Sequence, residues 1–114
     1  MPQDRLRPDR FLPLPLAWLD ILLALSADDL HGYAVMQAVA RQSESTLHPG
    51  TLYRALARLL ESHLIVELDE RPSPGDDERR RYYRVTALGR AVARAEAERL
   101  ERIVARAHAA RLFA

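Results

Sequence analysis

The chain has 114 residues, no cysteine and a formal net charge of +1. That length suits one small domain with one core, and excludes a catalytic domain joined to a regulatory one. The missing cysteine excludes disulfide scaffolds, thiolate zinc sites and cysteine nucleophiles, and the near-neutral charge gives no global field directed at nucleic acid.

All seventeen basic residues are arginine. GC-rich codon usage accounts for this, so the count alone is no sign of DNA binding. Residues 1–12 read as a flexible arm. The apolar run from Phe11 to Leu25 has the outline of an export signal. Asp20 in its middle, Pro13 and Pro15 near its front and its short, interrupted length argue against both a signal and a membrane span. The expected location is cytoplasmic.

Residues 16–26, LAWLDILLALS, are apolar on nearly every side, which predicts a helix surrounded by protein. A second helix is predicted over 32–42, where Val35, Ala38, Val39 and Gln42 fall at helical spacing. A third runs from Pro49 to about Ser62, since proline suits a first helical position whose N–H has no intrahelical partner. Leu52, Leu56, Leu59 and Leu60 form its apolar stripe. Thr51, Arg54 and Arg58 lie on the opposite side.

The period then changes to two. Leu64, Val66 and Leu68 alternate with Ile65, Glu67 and Asp69. After a Pro/Gly/Asp-rich turn comes RRYYRVT, with Tyr83 and Val85 on one face and Arg80, Tyr82 and Arg84 on the other. This predicts a β-hairpin with a long tip. Residues 67–78 hold six acids against Arg71 alone, so the two arms carry opposite charge. Arg84 is expected to pair with Glu67 or Asp69, whereas Arg79, Arg80 and Arg81 near the tip are candidates for phosphate contact.

Thr86 is the expected N-cap of a last helix over 87–112. Leu88, Val92, Leu100, Ile103 and Ala107 form its apolar stripe, interrupted by Glu96. Little in one small domain can cover its far half, so this helix is read as a dimerisation element; the alternative is that it folds back on the first helix of its own chain, and both contacts can coexist. The fold class is mainly α with a small β-hairpin. A winged helix-turn-helix domain spans 13–86, and a dimerisation helix spans 87–114.

A helix-turn-helix places one amphipathic helix in the major groove, its apolar side docked and its other side facing bases and phosphates. Helix 49–62 has that character, which makes double-stranded DNA the expected partner and Thr51, Arg54 and Arg58 the first candidates. The four histidines have no metal-ligand spacing. There is no nucleophile–base arrangement and no Gly-rich phosphate loop, so no cofactor, metal or enzymatic activity is expected. Met36 and Trp18 read as core.

Three stretches carry a family resemblance: LHGYAVMQAV (30–39), LHPGTLYRALARLLESHLIVE (47–67) and RRRYYRVTALGR (79–90). With them the chain resembles the PadR family of bacterial transcriptional regulators, from about Leu16 onward. The resemblance implies that Tyr33 and Tyr53 donate hydroxyls to phosphates, and that the last helix builds a homodimer. It also implies a repressor on an inverted-repeat operator, released by a small-molecule or stress signal. Since some relatives bind flat ligands at the dimer centre, Trp18 is a candidate effector wall. The chain departs from the family pattern at His48, where a small polar N-cap is usual, and at Arg54, where proline is usual. Both place polar groups at the groove-facing end. A third departure puts His63 where glycine usually ends the recognition helix, and predicts a left-handed backbone there. The alternative reading is a winged helix that binds protein rather than DNA.

Overall fold

The computed structural model describes residues 7–43, 46–69 and 81–113. A short 3-10 turn (Pro8–Phe11) precedes α1 (Leu16–Ala27), β1 (Leu30–His31), α2 (Gly32–Gln42), α3 (Pro49–Glu61), β2 (Ile65–Glu67), β3 (Tyr82–Val85) and α4 (Ala87–Ala109). The mainly helical fold and its winged-helix order are those expected. The first three helices keep their expected bounds to within a residue.

α1 is the centre of the molecule. α2, α3, α4 and β3 all pack on it, and Ile21, Leu22, Ala24 and Leu25 are buried, but Leu16 and Leu23 stay exposed, so the expected covering by protein is incomplete. Three helices start on side-chain caps. Ala34 donates its N–H to His31 Nδ1, Gly50 to His48 Nδ1 and Gly89 to Thr86 Oγ1. Each satisfies an amide that has no carbonyl partner within its helix.

α3 and α4 end alike. His63 has φ 60° and Arg111 φ 62°. After α3, His63 N–H reaches Leu60 O at 3.1 Å and Leu64 N–H reaches Leu59 O at 3.0 Å. After α4, Arg111 N–H reaches His108 O at 2.9 Å and Leu112 N–H reaches Ala107 O at 3.1 Å. Both are Schellman closures with a non-glycine residue in the left-handed position. The left-handed His63 is as the sequence predicts. α4 stops short of Leu112 because Arg111 turns the chain, with no glycine to announce it.

The sheet has three strands in the order β1-β3-β2, not the expected two. Leu30 pairs with Tyr83 and His31 with Tyr82, so the turn before α2 runs along the free edge of β3. A strand of two residues carries no period-two signal. On the other edge Ile65 pairs with Val85, Val66 with Arg84 and Glu67 with Tyr83. Cross-strand partners share a face. Ile65, Tyr83 and Val85 therefore face the core, while Val66 faces out with Arg84.

Two further expectations change. Residues 1–6 and most of the hairpin tip lie outside the described residues. Phe11 and Leu12, expected within a flexible arm, pack against the core, and Leu14 is buried in it. Leu88 and Val92, expected at a dimer interface, belong to the protomer's own core instead. Val92 is fully buried and Leu88 packs against the same cluster. α4 packs on α1 and on the 3-10 turn.

Glu96, the charged break in the α4 stripe, is 2% exposed. It accepts the Leu14 N–H at 3.0 Å and two bonds from the Arg99 guanidinium. Those bonds, the guanidinium's first and the Leu14 amide's after, hold its carboxyl below the usual range against the opposing effect of burial. A buried carboxylate with these partners ties the entry of α1 to the long helix.

Candidate nucleic-acid interface

α3 docks through Leu52, Ala55, Leu56 and Leu59, all buried. At about 100° per residue, the axis opposite that face passes through Gly50, Arg54, Ala57 and Glu61. Thr51 and Arg58 flank this row on the α1 side, and Tyr53 flanks it on the α2 side. Arg54, Ala57, Arg58 and Glu61 are exposed and Thr51 is half-buried. The expected trio is thus solvent-facing, with Arg54 nearest the centre and the other two on one flank. Gly50 and Ala57, not singled out from sequence, sit at the centre. A helical projection anchored on the three leucines finds them.

The arginines are lightly held. Arg54 donates to Thr51 Oγ1 at 3.5 Å, and Arg58 lies 4.0 Å from Glu61 with both side chains about 70% exposed. Pairs this open to water contribute roughly 0–1 kcal/mol. His48 caps the exposed N-terminus of α3 from the side chain, so its imidazole stands at the helix's leading end.

Tyr33 and Tyr53 are both exposed. A Cβ placed on Gly32 would lie 3.2 Å from the Tyr53 ring, so the ring lies across the start of α2. The close approach brings the tip of Tyr53 to Gly32 at the start of α2, one residue before Tyr33 in sequence.

The wing differs from expectation in its pairing. Arg84 forks onto Asp29, with Nη2–Oδ2 at 2.7 Å and Nε–Oδ1 at 3.1 Å. It does not meet Glu67 or Asp69, because the register places those acids on the opposite face of the sheet. The Arg84 guanidinium holds the Asp29 carboxyl below the usual range. No local pattern links two residues fifty-five positions apart. Arg81 lies 3.5 Å from Glu67, again as an exposed pair. Arg79 and Arg80 lie outside the described residues. Tyr83 is buried and structural as expected, and burial pushes its hydroxyl pKa up.

Trp18 is half-buried. It lines an open cleft of about 380 Å³ between α1 and α3, facing Arg54 and Arg58. Along α4 beyond Glu96, Leu100, Ile103 and Val104 are exposed and Ala107 is half-buried. Leu112 and Phe113, beyond the turn at Arg111, are also exposed. Among the described residues no helix is long and apolar enough to cross a membrane, and no group of three or more His, Cys, Asp or Glu is placed to hold a metal ion.

This architecture recurs in solved structures. A PadR family transcription regulator from Clostridium difficile R20291 superimposes with a TM-score of 0.66 at 30% identity, covering 80% of this chain and 95% of that one. A transcriptional regulator from Clostridium thermocellum gives a TM-score of 0.61 at 28% identity, covering 75% of this chain and 80% of its own. Among curated proteins, an uncharacterized 37.1 kDa protein in transposon Tn4556 of Streptomyces fradiae is 37% identical over 86 residues, 75% of this chain. The chain spans only 23% of that relative's length. The family model for the transcriptional regulator PadR-like family matches residues 21–95. That match takes in most of the core, all of α3 and the paired strands β2 and β3, and the chain belongs to the PadR-like family of transcriptional regulators.

Proposed function

We propose that the chain is a sequence-specific DNA-binding regulator that acts as a homodimer and represses its target genes. The observation that carries this reading is the solvent-facing row of α3. Its leucines are spent on docking, while Arg54, Thr51, Arg58 and Tyr53 remain available to a duplex. In this reading α3 enters the major groove, His48 and Tyr33 meet the flanking backbone, and Arg79, Arg80 and Arg81 reach phosphate from the wing. Leu100, Ile103 and Ala107, with Val104, form the interface with a second copy. The radius of gyration of 15.8 Å supports a protruding α4, since a compact chain of this length would have about 13 Å. Two such heads would read half-sites roughly 34 Å apart on an inverted repeat. A small-molecule or stress signal that alters the angle between the heads would release the DNA.

Selection of bound duplexes from a random pool, followed by fluorescence anisotropy, tests the reading. The selected pool should converge on an inverted repeat. Arg54→Ala should weaken binding by about 1–3 kcal/mol if the guanidinium forks onto a guanine. A pool that never enriches would favour the protein-binding alternative.

A further inference from the structure

We propose that the cleft between the first turn of α1 and α3 seats the sugar–phosphate backbone of bound DNA, which makes Trp18 part of the DNA-binding surface. This deepens the DNA reading above and rests on it. Pro15 and Trp18 form one wall of the cleft; Thr51, Arg54 and Arg58 form the other. Among the described residues no carboxylate lines it. Arg54 and Arg58 both line the cleft, Arg54 donating to Thr51 Oγ1 at 3.5 Å and Arg58 lying 4.0 Å from the exposed Glu61. Guanidinium groups fork readily onto phosphate oxygens.

The apolar wall distinguishes the source of that phosphate. Proline and an indole face offer nothing to a free inorganic anion, but they pack well against a deoxyribose. A phosphodiester flanked by sugars uses both walls at once. The position agrees. Thr51 and Arg58 stand on the α1 flank of α3, about 70–90° from its outward axis. When the outward row faces the floor of a groove, that flank meets the strand bordering it. Arg54 is then the base reader, and Arg58 with Trp18 holds the backbone.

The chain has a single tryptophan, so its emission reports on this cleft alone. The full chain is titrated at low salt with a labelled mixed-sequence duplex of about three helical turns, because backbone contacts are independent of sequence. Anisotropy reports binding, and tryptophan emission reports the cleft. The emission should change with the same midpoint as the anisotropy. Arg58→Ala, an exposed substitution that leaves the core untouched, should flatten the log-affinity versus log-salt slope by about one unit. Trp18→Leu should weaken binding several-fold on all sequences with the slope unchanged. Duplex binding with unmoved emission and an unaltered slope in Arg58→Ala would overturn the cleft assignment and leave the DNA reading standing. An equal emission change with inorganic phosphate at matched ionic strength would also overturn it, in favour of a free-anion site. Absence of duplex binding by anisotropy would overturn both.

Discussion

Replacing Gly89 with alanine tests how the long helix is docked on the base of the wing. A Cβ at Gly89 would collide with the carbonyl oxygen of Leu64 and lie 2.8 Å from Val85 Cγ2. The carbonyl cannot swing aside freely, because it accepts the Thr86 N–H at 3.0 Å. Alanine gains about 1 kcal/mol over glycine inside a helix. Overpacking costs about 1–3 kcal/mol, and disturbing the Thr86 bond adds about 1 kcal/mol. The upper part of the overpacking range applies, since the obstacle is backbone, which leaves a net loss of about 2–3 kcal/mol. Urea denaturation at fixed protein concentration should show the midpoint falling by about 1 M at an ordinary slope for this size. Val85→Ala removes only the side-chain contact, so adding it should not restore the midpoint. Gly50→Ala is the matched control. Its nearest neighbours are the movable ends of Arg54 and His48 at 3.4 Å, and stability should hold within about 0.5 kcal/mol. A Gly89→Ala protein as stable as the parent, or one rescued by Val85→Ala, would refute this account.

Glu96→Ala should destabilise by about 2–3 kcal/mol in thermal melts, since it strands the buried Leu14 N–H and removes charged hydrogen bonds. The carboxyls of Glu96 and Asp29 are both held below their usual range. Their contributions are therefore complete above the unfolded carboxylate range near pH 4 and are lost as pH falls through the lower folded values. Melting temperature should drop below about pH 4, and less steeply in Glu96→Gln than in the parent. His63→Gly should raise stability by about 0.5–1 kcal/mol, because the residue at φ 60° is exposed and glycine enters that region without strain; an unchanged urea midpoint would contradict it. Replacing Leu100 and Ile103 together with glutamate should give a folded monomer by sedimentation, and a persistent dimer would place the interface elsewhere.

What the sequence determined by itself is what depends on neighbours within a turn or two. The leucine spacing of 49–62 places α3 and its wet side. The apolar character of 16–26, interrupted only by Asp20 before Ser26, identifies the central helix. The left-handed end of α3 at His63 was legible only through the resemblance to a family that usually has glycine there. Each is local, fixed by helical periodicity or by the conformation of one residue.

What the tertiary structure alone decided depends on segments far apart meeting in one register. Asp29 and Arg84 are fifty-five positions apart, and Leu14 and Glu96 eighty-two. The parity of the β2–β3 pairing sends Arg84 to the face away from Glu67, and β1 exists only because β3 offers it an edge. The apolar stripe of α4 is continuous in sequence. Yet Leu88 and Val92 enter the protomer's core while Leu100 and Ile103 stay exposed, because the body of the domain ends near Glu96. A pattern along one helix states that a face is apolar. Which surface covers it is set by where the rest of the chain lies.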